Sequence, residues 1–179
     1  MNFGQNGVYS TEKYLDAAKV GYFGATNGPK SVSTMANGIK ITFVSYNEFS
    51  NLIPDLEEKS TIEEIKKAEE FSDIIIVFSH LGIEYSRTPT DRMKTLAHQF
   101  VDAGADMVVG SHPHVIEPFE TYNGKRIYYS LGNFIFDQYF SEDVRNGLGV
   151  DVKINKKTKQ LEFLEKYFYL DNNGQTILK

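Results

Sequence analysis

The chain has 179 residues, of which 41% are hydrophobic and 24% charged, and this composition is typical of one globular domain with a core of its own. The net charge of −5, without any block of Lys and Arg, excludes nucleic acid as the expected partner. Cysteine is absent, which excludes disulfides and thiolate chemistry. The sequence shows neither a signal-peptide pattern nor an apolar run of membrane-spanning length.

The first part of the chain predicts a helix, a strand and a second helix. Apolar residues at helical spacing predict a helix over residues 10–20, with Ser10 as its N-cap. The β-rich stretch GIKITFVSYN (38–47) follows an Asn-Gly turn signal and predicts a strand. Ser60 begins a capping box, which predicts a helix over about 60–71.

The middle of the chain alternates buried strands with a helix. The run DIIIVFSH (73–80) is apolar without alternation, as expected for a strand covered on both faces. Thr90 is the predicted N-cap of the next helix, and Gly104 ends it in the position that a left-handed residue requires. Residues 106–110 predict a second buried strand, and residues 125–137 hold a third.

The C-terminal part of the chain is all β. Residues 148–170 predict two strands around a Lys-rich turn. Strand–helix–strand order followed by an all-β tail predicts one α/β, sandwich-like domain over residues 1–179. The opening MNFGQNG is polar and turn-like and predicts no strand.

Polar side chains that can bind a metal or take part in catalysis lie where these apolar strands end. The first strand closes with His80 and then Glu84, the second with His112 and His114, and the third leads into Asn133. In open α/β sheets, sites form beyond the carboxyl ends of the strands. We therefore expect these side chains to meet at one edge of the sheet.

The tripeptide His112-Pro113-His114 holds half of the four histidines in the chain. A residue before proline favours extended backbone, and an extended His-x-His places both rings on the same side, where they suit one metal ion or two adjacent ions. Three alternatives stay open: the pair is an ordinary surface pair, Glu84 is a solvated turn residue, or Asn133 belongs only to a turn. His98 lies off the apolar stripe of its helix and is expected to be exposed and unimportant.

Three long motifs, in this order, carry a resemblance to a known family. They are SHLGIEY (79–85), DAGADMVVGSHPHVIEPFE (102–120) and YYSLGNFIFD (128–137). Together they resemble the bacterial capsule-synthesis CapA family, also called the poly-gamma-glutamate synthesis protein family, and the resemblance extends over essentially the whole chain. That family is similar to the calcineurin-like metallophosphoesterases, which implies a metallophosphatase-like α/β/β/α sandwich with a two-metal centre.

The resemblance also implies roles for particular residues. His80 matches the histidine of the family's His-Trp-Gly-x-Glu motif and Glu84 its acid, while His112 and His114 match the paired histidines of Gly-His-His-Pro-His. His80, His112 and His114 are thus expected to be metal ligands, and Glu84 and Asn133 catalytic residues. The implied cofactor is a divalent metal, Mn, Zn or Fe. Leu81 and Ser111 depart from the motifs, but neither is expected to be a ligand.

A larger departure lies at the front of the chain. Family members begin with a strand bearing an Asp, a second acidic motif and an Asn-Asn-His motif, whereas this chain starts just beyond that point. We expect an N-terminally truncated domain whose metal is weak or absent and which has little phosphoesterase activity of its own, because two-metal hydrolysis needs anionic bridging ligands. A secretion signal or membrane anchor would precede this chain in a longer protein.

The resemblance implies a capsule or poly-gamma-glutamate biosynthesis protein with a metal-dependent hydrolase fold, at the cell surface and membrane-associated in its full length. The alternative is a non-catalytic polymer-binding or assembly subunit on the same scaffold. Expected partners are an anionic capsule polymer or its precursor and other capsule-synthesis membrane proteins. A homodimer that covers exposed strand edges is a further hypothesis.

Overall fold

A computed structural model describes residues 4–25, 28–50 and 53–179 of the chain. Its helices are α1 (Gly4–Ala17), α2 (Pro54–Glu69) and α3 (Asp91–Asp102). Its strands are β1 (Ser31–Ala36), β2 (Ile39–Asn47), β3 (Ile74–His80), β4 (Met107–Ser111), β5 (Phe119–Tyr122), β6 (Lys125–Tyr128), β7 (Asn146–Ile154), β8 (Leu161–Leu170) and β9 (Thr176–Leu178).

The central layer is a six-stranded sheet with the order β1-β2-β3-β4-β6-β5. Strands β2, β3, β4 and β6 run parallel, and the two outer strands β1 and β5 are antiparallel to their neighbours. The residues from Ile74 to Val77 in β3 are all buried, because this strand lies in the middle of the sheet with both faces covered. The prediction of an α/β fold with buried central strands is confirmed.

Helices α2 and α3 cover one face of this sheet. Helix α3 buries Met93, Leu96 and Phe100 against the apolar side chains of β2, β3 and β4. It begins at the predicted N-cap, where the Thr90 hydroxyl accepts a hydrogen bond from the Met93 amide at 3.1 Å. Gly104 follows its end with a φ of 118°, the left-handed conformation that the sequence predicts for this position.

A three-stranded antiparallel sheet, β7-β8-β9, covers the other face. Leu148 of β7 is buried against Ile41, Ile76 and Val109, the inward-facing residues of the central sheet. The Tyr128 hydroxyl donates a hydrogen bond to Glu165 of β8 at 2.7 Å, which ties the two sheets together. Helices, central sheet and second sheet are therefore successive layers of an α/β sandwich.

Several predicted bounds of helices and strands are wrong, because each was inferred from a local sequence pattern. Helix α1 already begins at Gly4, so Ser10 lies inside it, and α2 begins at Pro54 rather than at Ser60, because proline suits the first turn of a helix. The third strand ends at Tyr128, and residues 129–137 continue as a loop. Strands β1, β5 and β9 were not predicted. Residues 1–3 of the predicted opening turn lie outside the described residues.

None of the helices in the described part of the chain combines the length and the apolar character that crossing a bilayer demands. Helix α1 has no buried residue among those described, and Tyr9 and Tyr14 on it are exposed.

Candidate metal and catalytic site

The register of the parallel strands brings three chain segments to one edge of the central sheet. Asn47, the last residue of β2, pairs with His80 at the end of β3, and His80 pairs with Ser111 at the end of β4. The residues that follow each strand therefore leave the sheet side by side. This places Phe49, His80 and His112 within contact of one another.

The three predicted ligand histidines converge at this edge. The ring centroids of His80 and His112 lie 4.9 Å apart with the ring planes inclined by 64°, and those of His112 and His114 lie 6.3 Å apart. His80 comes from β3 and the other two from the loop after β4, so the sheet brings together imidazoles that are more than 30 positions apart in the chain.

The backbone of the histidine loop is not extended, so that prediction is wrong. His112 has a φ of 106° and His114 a φ of 60°. Both values are positive, and residues other than glycine rarely adopt positive φ. Two backbone hydrogen bonds hold this strained turn: the Leu81 amide donates to the Ser111 carbonyl at 3.1 Å, and the Tyr85 amide donates to the Pro113 carbonyl at 2.8 Å. The loops after β3 and β4 thus fix each other.

Hydrogen bonds set the tautomer of His114. The Asn133 side chain is 7% exposed, and its Nδ2 donates to the Val144 carbonyl at 2.9 Å, so its Oδ1 is the atom that faces His114 Nδ1, at 2.8 Å. Because an amide oxygen only accepts, His114 Nδ1 must donate, and in a neutral ring the lone pair then resides on Nε2. Asn133 therefore orients His114, and its predicted catalytic role stays a prediction.

The same reasoning assigns the tautomer of His80. The Ser111 hydroxyl donates to the Ser79 carbonyl at 3.2 Å, so its oxygen accepts from His80 Nδ1, which lies 3.2 Å away. His80 therefore also presents Nε2 as its lone-pair nitrogen. Two of the three imidazoles are held by oxygen acceptors in the form that a metal ligand requires.

Electrostatics keep two of these rings neutral. Desolvation lowers the pKa of His80, and the neighbouring His112 and His114 lower it further. Desolvation also lowers the pKa of His112, against the opposing effect of Glu84 and Glu48, whose charges raise it. Neutral imidazoles are the form that donates a lone pair to a metal ion.

Glu84 lies in the turn after β3 and is exposed. Among the charges that raise the pKa of His112 its effect comes first, so its carboxylate is close enough to act on the ring. This position agrees with the acid role that the family resemblance implies for Glu84, which stays a prediction.

Aromatic side chains that the sequence analysis did not single out surround the imidazoles. Phe49 lies 4.3 Å from His112 and 5.8 Å from His80, measured between ring centroids, and it follows the end of β2 by two residues. Phe136 lies 5.0 Å and Tyr85 6.1 Å from His114. The strand-end rule would have found Phe49 had it been applied to β2 as well as to β3 and β4.

His98, predicted to be exposed, is half-buried. Its Nε2 lies 2.5 Å from Glu120 Oε1, and its ring stacks on Tyr122 at a centroid distance of 3.8 Å. His98 lies in α3 on the helix-covered side of the sheet. It is not part of the histidine edge, the edge of the central sheet at which His80, His112 and His114 converge. The prediction failed because Glu120 and Tyr122 come from β5, a strand that was not predicted.

The donor chemistry of the edge fits a borderline divalent ion, since three imidazole nitrogens are preferred by Zn²⁺ and related metals. The arrangement does not yet form a complete ligand set. Across residues 4–25, 28–50 and 53–179, no three His, Cys, Asp or Glu side chains are arranged so that they could hold one ion. His80, His112 and His114 are the residues that would contribute nitrogen ligands.

The fold and this edge define an α/β sandwich protein with a cluster of nitrogen donors beyond its strand ends. A family model described as "Bacterial capsule synthesis protein PGA_cap" matches residues 1–138. The chain belongs to this family of bacterial capsule synthesis proteins.

Two curated relatives are similar over most of the chain. The PGA biosynthesis protein CapA of Bacillus subtilis is 37% identical over 155 residues, which cover 77% of this chain and 40% of the relative. The capsule biosynthesis protein CapA of Bacillus anthracis is 33% identical over 155 residues, covering 76% of this chain and 38% of the relative. The chain thus matches about two fifths of the length of these relatives.

Among solved structures, the fold is similar to that of a phosphatase from Mycoplasma pneumoniae, with a TM-score of 0.48 and 15% sequence identity. The match covers 84% of this chain and 55% of the phosphatase.

Proposed function

We propose that this chain belongs to a capsule or poly-gamma-glutamate biosynthesis protein whose histidine edge is a metal-dependent, phosphoesterase-like hydrolase site. The observation that carries the proposal is the tautomer of two converging imidazoles. Oxygen acceptors hold Nδ1 of both His80 and His114, so both rings offer Nε2. An ordinary surface histidine pair has no need of such partners.

His80, His112 and His114 would hold the ion, which when bound lowers the pKa of a coordinated water and supplies positive charge. Asn133 keeps His114 in the ligand tautomer. Glu84, which is exposed and whose charge acts on His112, would exchange a proton with a bound substrate or water. Phe49 and Phe136 flank the rings and reduce their contact with bulk water.

The substrate class we propose is an anionic capsule polymer or its precursor. The names of the relatives place them in capsule and PGA biosynthesis. The chain has a net charge of −5, so attraction of an anionic substrate needs a local positive charge, which a bound divalent ion supplies. We propose membrane-associated capsule-synthesis proteins as partners and the outer side of the membrane as the location.

One observation favours a second candidate, a non-catalytic polymer-binding or assembly subunit. Within the described ranges no three His, Cys, Asp or Glu side chains, the three imidazoles included, form a group that could hold an ion. A site that binds an ion weakly could retain polymer through that ion without hydrolysing it.

The test compares the chain with a His112→Ala/His114→Ala variant and with His98→Gln, a control that alters a histidine outside the edge. Metal content is measured by mass spectrometry after dialysis against Zn²⁺ or Mn²⁺. We expect the double variant to lose at least 100-fold in metal affinity and His98→Gln to lose none. Equal metal binding by all three proteins would refute the ligand assignment.

Hydrolysis of bis(p-nitrophenyl) phosphate and binding of poly-gamma-glutamate separate the two candidate functions. Both are measured on this chain and on the longest gene product in which its sequence occurs. Metal-dependent turnover that the His112 and His114 changes abolish supports the hydrolase. Metal-dependent polymer binding without turnover in either protein supports the assembly subunit instead.

A further inference from the structure

An ion-pair cluster lies directly behind the histidine edge and has no part in the ligand assignment. Arg92, in the first turn of α3, donates through Nε to Glu48 Oε1 at 2.7 Å. Its Nη2 donates to the Glu58 carboxylate of α2 and reaches the Tyr46 hydroxyl of β2 at 3.5 Å. One guanidinium thus joins three elements at the carboxyl edge of the sheet.

Glu48 connects this cluster to the histidine segment at two points, His80 itself and Gly82. The Glu48 amide donates to the His80 carbonyl at 3.0 Å. Its carboxylate Oε2 accepts from the Gly82 amide at 3.2 Å. The next residue, Phe49, contacts the rings of both His80 and His112. Movement of Glu48 would therefore displace the backbone around His80 and the ring that covers the pair.

Arg92 is suited to hold Glu48 in place. The hydrogen bonds that Arg92 donates to Glu48 and then to Glu58 raise the pKa of Arg92 above its usual range, so the guanidinium stays charged under all relevant conditions. A planar guanidinium can bind two carboxylates at fixed angles, which lysine cannot do. Without it, two partly buried carboxylates would face each other with no counter-charge between them.

The carboxylates of Glu48 and Glu84, both near the histidine edge, differ in their hydrogen bonding and exposure. The carboxylate of Glu48 is occupied by Arg92 on one oxygen and by the Gly82 amide on the other. Glu84 is exposed and acts more strongly on His112. Glu48 is therefore suited to position the backbone around His80, whereas Glu84 is free to exchange protons with solvent or substrate.

We infer that Arg92 and Glu48 form a positioning pair that fixes His80 and His112 in their ion-binding arrangement. The inference rests on the proposed function for its metal readout, but the Gly82 hydrogen bond provides a second readout that needs no metal. In this proposal both residues act through the backbone around His80 and through Phe49 and are not themselves ligands.

The test uses four proteins: the chain itself, Arg92→Met, Arg92→Lys and the control Lys94→Met. Lys94→Met removes the same charge from the same helix, where Lys94 makes an exposed pair with Asp91. Affinity for Co²⁺ alone is measured from its visible absorption. Amide exchange at Gly82 is measured by NMR, with the Leu148 amide, bonded to the Leu131 carbonyl at 2.7 Å, as an internal reference.

We expect Arg92→Met to bind Co²⁺ about tenfold more weakly, the loss typical of a changed partner of a metal ligand. The Co²⁺ affinity of Arg92→Lys should lie between those of Arg92→Met and the unaltered chain. The Co²⁺ affinity of Lys94→Met should be within twofold of that of the unaltered chain. Gly82 exchange should rise about tenfold in Arg92→Met, while Leu148 exchange stays unchanged. If Arg92→Met unfolds, Glu48→Gln removes the carboxylate charge with little change of shape and takes its place.

The outcomes separate the two ideas. If the unaltered chain does not bind Co²⁺, the proposed metal function fails, and the Gly82 amide alone decides the positioning role. If Co²⁺ binds but Arg92→Met leaves both the affinity and Gly82 exchange within twofold, the positioning role is overturned. Faster exchange at Leu148 as well as at Gly82 would mean general destabilisation and would equally refute it.

Discussion

Two histidines that lie next to the central sheet, His98 in α3 and His114 in the loop after β4, differ in the partner of the imidazole. His98 faces the carboxylate of Glu120 and stacks on Tyr122, an arrangement that engages both the edge and the face of the ring. His114 faces the amide oxygen of Asn133, which sets the tautomer without adding a charge. A partner that only accepts a hydrogen bond leaves a neutral ring with an oriented lone pair on its other nitrogen.

Within the described residues, Glu117 in the segment between β4 and β5 lacks this kind of pairing. Glu117 is 2% exposed, and within the described part of the chain neither of its carboxylate oxygens has a hydrogen-bond partner. Its charge acts on Tyr129, whose hydroxyl donates to Glu120 at 2.6 Å. Within the described residues Glu120 is paired and Glu117 is not, although they are three positions apart.

The largest stability effect is expected for Glu117→Gln. Burial raises the pKa of Glu117 from 4.5 to about 7, so the folded state binds its proton more tightly than the unfolded state. Stability therefore falls as pH rises from about 4.5 to about 7 and stays lower above that. The variant should be more stable than the unaltered chain by roughly 3 kcal/mol at pH 8 and nearly equal to it at pH 4.

Urea unfolding at both pH values measures this difference. Glu162→Gln, an exposed site on β8, is the control and should show no such pH dependence. A Glu117→Gln protein that is no more stable at pH 8 would mean that Glu117 has a partner after all, and the contrast with Glu120 would disappear.

An intermediate effect is expected for Asn133→Ala. The change removes the acceptor of His114 Nδ1 and leaves the buried Val144 carbonyl without its donor. Loss of a partner for buried polar groups typically costs about 1–3 kcal/mol. We expect about 2 kcal/mol in urea unfolding together with about tenfold weaker metal binding, the latter because His114 is no longer held in its ligand tautomer.

Asn172→Ala, at an exposed turn position, is the matched control for both measurements. If Asn133→Ala lowers stability but leaves metal affinity unchanged, Asn133 is a structural residue only. The amide-held histidine would then be no different in kind from His98.

The smallest effect is expected for His98→Gln. Burial acts to raise the pKa of Glu120, but hydrogen bonds from Tyr129 and His98 lower it overall. The stabilisation from these bonds is therefore present above the ordinary pKa of 4.5 and is lost as the pH falls through the folded value. We expect a loss of about 1 kcal/mol at pH 7 that shrinks below pH 4, with unchanged metal binding. Reduced metal affinity would show that the two environments communicate.

The sequence predicted the buried strands and the convergence of the histidines at their ends, because both depend on local runs. The apolar stretch before His80 and the one before His112 define neighbouring buried strands, and their ends must meet at one edge. Thr90 capped its helix as predicted, since the cap needs only the next three residues. Ser60 failed as a cap because Pro54 had already started the helix.

The remaining features arise from contacts between distant residues, which a local pattern does not contain. The φ angles of His112 and His114 depend on hydrogen bonds from Leu81 and Tyr85 in another loop. Glu117 reads as a surface acid between Ile116 and Pro118, yet the fold buries it. The tautomer of His114 required knowledge of Val144, which turns the Asn133 amide.

The two backbone bonds between the loops after β3 and β4 have a consequence for cooperativity. Each left-handed histidine stores strain, and hydrogen bonds from the opposite loop hold the backbone beside it, so opening of either loop loosens the other. Residues 81–85 and 111–115 should therefore exchange their amide hydrogens as a single unit, with one opening free energy. Any event that loosens the turn at Tyr85 would disassemble the imidazole edge as a whole instead of relaxing it ring by ring.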